Sequence, residues 1–218
     1  MAIDQLLLQR DSDNAFVNVQ DQFGFYLKWR KLSSAPAKAG YESIPGMNGA
    51  LDTTEEFGEV FYNPRTLDLD CVFPSSAWHE VYRQFNDKYH AQSVKIAFLN
   101  DPNYYWAGRI FVSAYSAKDH SLSMTAKVFP FKFKMKETIV RSAGDETVRL
   151  YNSRMPVVPT VKIWGAVSLA WGNNTKSLSS SSYPATFKIP GLRLTEGHLD
   201  VTITGSANVE FRYREGSL

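Results

Sequence analysis

Little in this sequence points to chemistry. One cysteine, four histidines and a near balance of charge are spread over 218 residues. Cys71 has no partner for an intramolecular disulfide, which suits a protein folded in a reducing compartment. It sits in an apolar strand pattern and reads as a small buried hydrophobe rather than a nucleophile. His79, His90, His120 and His198 are too scattered for a metal site. The 24 Lys and Arg against 22 Asp and Glu leave +2, too little to mark a nucleic-acid surface. No apolar run approaches the roughly 18 residues of a membrane helix, so no membrane partner is expected. Residues 1–9 carry Leu6-Leu7-Leu8 but also Asp4, lack a basic leader and do not read as a signal peptide. A Gly-x-Ser-x-Gly elbow and a phosphate-cradling loop are both missing. No catalytic residue, metal ligand or cofactor is expected, and the chain is read as a non-enzyme.

What is present is β-patterned. At this length one large β domain or two smaller ones bury roughly 70% of the unfolded surface, so no disulfide is needed. The stretch 40–73 organises the first part. Pro45-Gly46 and Asn48-Gly49 are turn dipeptides, and 59–62 and 67–73 read as strands joined by a hairpin at Asn63-Pro64-Arg65-Thr66. Before it, residues 1–10 read as a strand, 16–27 as one or two more, and 33–40 as a loop. One helix is expected, over 75–89. Trp78, Val81, Tyr82, Phe85 and Tyr89 share a face, Ser75 or Ser76 caps the first turn, and Glu80 complements the dipole. That stripe is expected to pack on a sheet.

After the helix, 93–99 and 104–114 read as paired strands around an Asn100-Asp101-Pro102-Asn103 turn. Residues 122–135 read as one long strand, with Phe129, Phe131, Phe133 and Met135 on one face and Lys132, Lys134 and Lys136 on the other. Such lysines serve solvation and edge protection. The polar stretch 137–149 is the expected boundary, giving domains 1–140 and 141–218. Beyond it, short strands at 156–164, 167–171, 185–189, 199–204 and 209–214, separated by Gly, Asn and Pro turns, read as a β-sandwich. Ser177 and the serines of 179–182 read as a loop tip.

Two groups of residues invite a functional reading. The run Tyr104-Tyr105-Trp106 reads as core, subunit contact or an exposed aromatic patch, and with Trp171 it is the candidate platform for stacking a sugar. Asp68 and Asp70 lie two apart on one strand face. Two-carboxylate hydrolysis needs roughly 5–10 Å between such groups, which this pair could meet, but a solvent-facing polar row is the reading preferred for them.

In order along the chain, the Pro-Gly-x-Asn-Gly-x-Leu-Asp loop at 45–52, Tyr62-Asn63-x-Arg65 and the Trp/Tyr-rich helix resemble the amino-terminal domain of phage distal tail proteins (Dit). Pro159-x-Val-x-Ile-x-Gly165, Ile189-Pro-Gly191-Leu192, Glu196-Gly197 and the ending Val209-Glu-Phe-Arg-Tyr-Arg-Glu-Gly216-Ser-Leu218 are similar to that family's galectin-like carboxy-terminal domain. The resemblance implies a mostly β protein, with a sandwich-like ring-forming domain carrying one helix and a hairpin, then a galectin-like sandwich. It also implies a structural virion protein, assembled in the host cytoplasm, whose hexameric ring joins the tail tube of a long non-contractile tail to the tip or host-adhesion device. The implied partners are further copies of the chain, the major tail tube protein, the tail-associated tip protein and receptor-binding or baseplate proteins, with DNA passing the lumen unread. The second half lacks the His-x-Asn-x-Arg segment of true galectins, so lectin activity does not come with the fold. The other function in view is a monomeric carbohydrate-binding protein using the aromatic platform.

Overall fold

The computed structural model describes residues 4–73, 78–181 and 184–218, and the chain divides into two compact units, Met1–Lys132 and Phe133–Leu218. The expected helix caps Ser75 and Ser76, and Ser182 of the serine run, lie outside the described residues.

In the first unit, β1 Leu6–Arg10, β2 Val17–Asn18, α1 Val19–Phe23 and β3 Tyr26–Leu32 are followed by β4 Tyr41–Glu42, β5 Leu51–Asp52 and β6 Arg65–Val72. Then come α2 Trp78–Tyr89, β7 Gln92–Phe98, β8 Tyr104–Ser116 and β9 Ser121–Val128. Seven strands make one antiparallel sheet in the order β2-β1-β7-β8-β9-β6-β3. Among the described residues β4 and β5 pair only with each other. The fold is mostly β, as the sequence implies.

Alternation in the strands supplies one apolar face: Leu67, Leu69 and Cys71 from β6, Val94, Ile96 and Phe98 from β7, Leu122, Met124 and Ala126 from β9. Against it lie α2 and α1. Phe85 and Tyr89 are fully buried, with Trp78, Val81 and Tyr82 packed beside them, so the helix stripe is core. The rings of Phe23, Phe25, Phe73 and Phe85 meet at centroid distances of 5.2–5.3 Å.

The short helix α1 departs from the strand reading of 16–27. Asn18 accepts a hydrogen bond from the Gln20 N–H, and Gly24 ends the turn with φ of 70°. Five residues suffice because the turn is held by burial of Val19 and Phe23, which look like strand residues by type alone. Residues 59–62 form no strand beyond an isolated bridge from Tyr62 to Ala37, and β6 pairs with β3 and β9 instead. The long strand read over 122–135 is broken at Pro130, which cannot donate to a ladder. Phe129 is exposed while Phe131 is buried, so the four apolar residues do not form one row.

β10 Lys132–Lys134 crosses the division in the chain. The second unit then holds β11 Thr138–Ser142, β12 Glu146–Asn152, β13 Thr160–Trp164, β14 Ala166–Trp171, β15 Asn174–Ser179, β16 Ala185–Lys188, β17 Gly197–Thr204, β18 Asn208–Tyr213 and β19 Gly216–Ser217. Two four-stranded sheets, β11-β18-β13-β16 and β12-β17-β14-β15, enclose one core of Val161, Ile163, Leu169, Val201, Ile203 and Phe211. That is a β-sandwich. Residues 137–149, polar enough to read as a linker, supply one strand to each sheet, because alternation puts Val140, Val148 and Leu150 inward. Ser177 and Ser179 belong to β15 rather than to a loop. Asn152 is fully buried, and its Nδ2 donates to the carbonyls of Met155, Leu194 and Thr195, tying the end of β12 to the loop before β17.

Candidate functional site

β3 and β6 are antiparallel neighbours, yet residues 33–64 separate them. Connections longer than about 12–15 residues are uncommon in compact domains and usually functional. Here the connection forms an arm. At its root the pairing of β3 with β6 continues: Ser33 N donates to the Thr66 carbonyl, Asn63 N to Pro36 and Lys38 N to Phe61 at 2.7–2.9 Å. Further out, β4 and β5 make a small hairpin, closed by a turn in which Met47 N reaches the Ile44 carbonyl and Gly46 takes φ of 85°.

Arg65 pins the root. Its Nε donates to the Ser33 carbonyl at 2.7 Å, and its guanidinium lies 5.0 Å over the Trp106 ring. Tyr62 meets Phe131 edge-on at 5.8 Å. The Tyr-Asn-x-Arg motif is therefore an anchor for the arm, not a tight hairpin between two strands.

None of the described residues from 28 to 66 is buried. Six of the protein's exposed large hydrophobic residues nonetheless sit on the arm: Tyr41, Ile44, Met47, Leu51, Phe57 and Phe61, with Phe57 80% exposed. A two-stranded hairpin with no core of its own is marginal in water, and apolar residues gathered on such an element mark an interaction surface. Sequence reasoning found the turns but missed the surface. The available signal was six large apolar residues set among Gly, Pro, Asn and acidic residues with no strand or helix period.

The aromatic run does not form an exposed patch. Tyr105 and Trp106 are 9% and 8% exposed, and each ring of the run lies near a cation: Lys132 over Tyr104 at 4.2 Å, Lys95 over Tyr105 at 5.7 Å and Arg65 over Trp106. Trp171 is 7% exposed and its Nε1 donates to the Gly191 carbonyl at 3.0 Å. Tyr105, Trp106 and Trp171 are thus packed away from solvent, and Tyr104 is half-buried. Asp68 and Asp70 do share a face of β6, but each accepts from the strand beside it, Asp68 from Thr125 at 3.0 Å and Asp70 from Ser123 at 2.9 Å. Lys28 lies 3.8 Å from Asp70. They are rungs of a polar row across the sheet. Cys71 is buried and its thiol is pushed up to about 12 by burial, with Asp70 adding to the shift. At neutral pH it is a core thiol.

Comparison with solved structures adds to this geometry. The chain is similar to the SPP1 Dit protein, described as a paradigm of the hub adsorption apparatus in phages that infect Gram-positive bacteria. The TM-score is 0.69 at 14% identity, covering 98% of this chain and 99% of that one. The chain has the Dit fold. A second similar structure, the phage p2 baseplate in its activated conformation with strontium, gives a TM-score of 0.41 at 6% identity, covering 97% of this chain and 98% of that one. No family model matches the sequence, and no curated protein matches it.

Proposed function

We propose that this chain is a structural subunit of a phage tail, a hub that joins the tail tube to the tip or host-adhesion device. The likeness to SPP1 Dit along nearly the whole of both chains carries this reading, since it covers residues of both units. In this reading copies of the chain close into a ring of six through the first unit, while the second unit serves the periphery and its baseplate or receptor-binding neighbours. The tail tube protein and the tail-associated tip protein stack on either side, DNA passes the lumen unread, and the protein resides in the virion after assembly in the host cytoplasm. No catalysis is part of this function.

Cyclic closure needs two different complementary surfaces on each protomer. The arm supplies one of suitable chemistry: an exposed apolar hairpin anchored by Arg65 that gains core only by docking. Among the described residues the outer edge of β3, with Lys28, Lys31 and the exposed Trp29, lies at the end of the sheet and supplies unpaired backbone. Light scattering behind size exclusion tests the reading. A species near six times 24.6 kDa is the expected result. A monomer at every concentration refutes self-closure of the purified chain.

A further inference from the structure

A cleft of about 580 Å³ opens on the outer face of the β11-β18-β13-β16 sheet. That lies within the roughly 300–1,000 Å³ of small-ligand sites. Strand register builds it. Arg141 of β11 faces Glu210 of β18, which faces Lys162 of β13, while Asn208 faces Trp164 one rung along. Because side chains alternate, Lys162 and Trp164 share the outer face with Asn208, Glu210 and Arg212, while Val161, Ile163, Val209 and Phe211 point into the core.

Glu210 is 3% exposed yet lies at the centre of this charged face. It holds two guanidiniums: Arg141 Nε donates to its Oε2 at 2.7 Å, and Arg212 Nε to its Oε1. These bonds hold the Glu210 carboxyl below its usual range, Arg212 contributing most. Among the described residues both arginines reach Glu210 through Nε alone, so their Nη amines remain as donors toward the cleft. Arg141 is 71% exposed despite its bond. Lys162 Nζ stands 5.0 Å over the Trp164 ring. Arg141, Arg212 and Lys162 outnumber Glu210 and Glu137, the second carboxylate that acts on Arg212, which leaves a net positive charge where a small anion would sit.

We infer that this cleft binds an acidic saccharide, a sugar carrying a carboxylate or a phosphate. β18 and β13 are the inner strands of their sheet, so no open backbone edge exists here for an extended peptide to join. Recognition rests on side chains alone. Planar forked groups, two guanidiniums and an amide, suit vicinal hydroxyls and acidic oxygens, and an indole suits the apolar face of a sugar ring. Arg141, Arg212 and Lys162 take the acidic group, and Asn208 and Trp164 take the ring. The inference does not depend on ring formation, since every residue in it lies within the sandwich.

Titration calorimetry of the full chain with trigalacturonate, glucose 6-phosphate, maltotriose, hexaglutamate and inorganic phosphate tests it. Saturable binding of trigalacturonate or glucose 6-phosphate is expected, and whichever binds identifies the acidic group as carboxylate or phosphate. Arg141→Ala and Lys162→Ala should each weaken that binding by roughly tenfold or more, and Trp164→Phe should remove the accompanying change in tryptophan emission. Thermal melts of all three variants confirm that they remain folded. Absence of saturable binding to both acidic sugars overturns the inference. So does equal binding of maltotriose, hexaglutamate or inorganic phosphate, or an affinity that Arg141→Ala and Lys162→Ala leave unchanged.

Discussion

Replacing Phe57 by serine separates docking of the arm from folding of the subunit. Phe57 is 80% exposed, so the isolated chain buries only a fifth of it and loses under about 1 kcal/mol on truncation. A buried phenylalanine removes about 200 Å² from water. If the arm docks, up to about 160 Å² more is covered there, worth roughly 4 kcal/mol per contact at 25 cal/mol per Å². At about 1.4 kcal/mol per tenfold change, each contact weakens by up to roughly a thousandfold, and a closed ring repeats that loss at every interface. Light scattering over a dilution series reads the assembled fraction, and a thermal melt of the dissociated chain reads its fold. The expected outcome is a ring that falls apart at concentrations where the native chain stays assembled, with the subunit's melting temperature nearly unchanged. An assembly as resistant to dilution as the native one refutes the docking role. A melting temperature lowered by core-sized amounts refutes the premise that Phe57 stands free.

Asn152→Ala removes the Nδ2 donor from the carbonyls of Met155 and Thr195, while Leu194 keeps its bond from Val157 N, and should lower stability by about 2–3 kcal/mol, visible as a lower urea midpoint with the arm unaffected. Gly108→Ala is more severe, since a Cβ there would lie 2.2 Å from the Lys127 carbonyl oxygen and 2.7 Å from Val128 Cα on the paired strand. The variant should lose soluble expression or melt far below the native chain, whereas a native-like melt would show that β8 and β9 can part without cost. Glu210 has its folded-state pKa depressed below its usual 4.5 by Arg212 and Arg141, so its contribution is complete above that value and is lost as pH falls through the lower folded one. Stability of the native chain should therefore fall faster below about pH 4.5 than that of Glu210→Gln, and parallel acid titrations of the two would refute the assignment.

Much of the fold is legible in the sequence because its signals are local. The helix stripe from Trp78 to Tyr89 and the alternation in β7 and β9 declare their inward faces without help from the rest of the chain. The misreadings share one physical origin. Val19 and Phe23 are strand-like by type, and only the cap at Asn18 and the left-handed Gly24 turn them into a helix. Glu59, Val60, Phe61 and Tyr62 alternate like a strand, but their potential partner is already taken, since β6 lies between β3 and β9. Pairing is decided across the sheet, where sequence spacing carries no information.

The two candidate surfaces were hidden for different reasons. The arm is contiguous in sequence, but apolar residues in a chain look the same whether they face a core or nothing. Only the absence of any buried neighbour from 28 to 66 tells them apart. The cleft is the reverse case. Its polarity is plain in Asn208-x-Glu210-x-Arg212, three polar residues on one face of an inner strand, but Arg141 and Lys162 join it only through register. The arm belongs wholly to the first unit and the cleft wholly to the second. Sites that share no partner residues act additively. A chain carrying Phe57→Ser and Arg141→Ala together should lose assembly and acidic-sugar binding each by the amount of the single change. A double variant that departs from that sum would show that the two surfaces communicate, and the division of labour argued from their separate cores would fail.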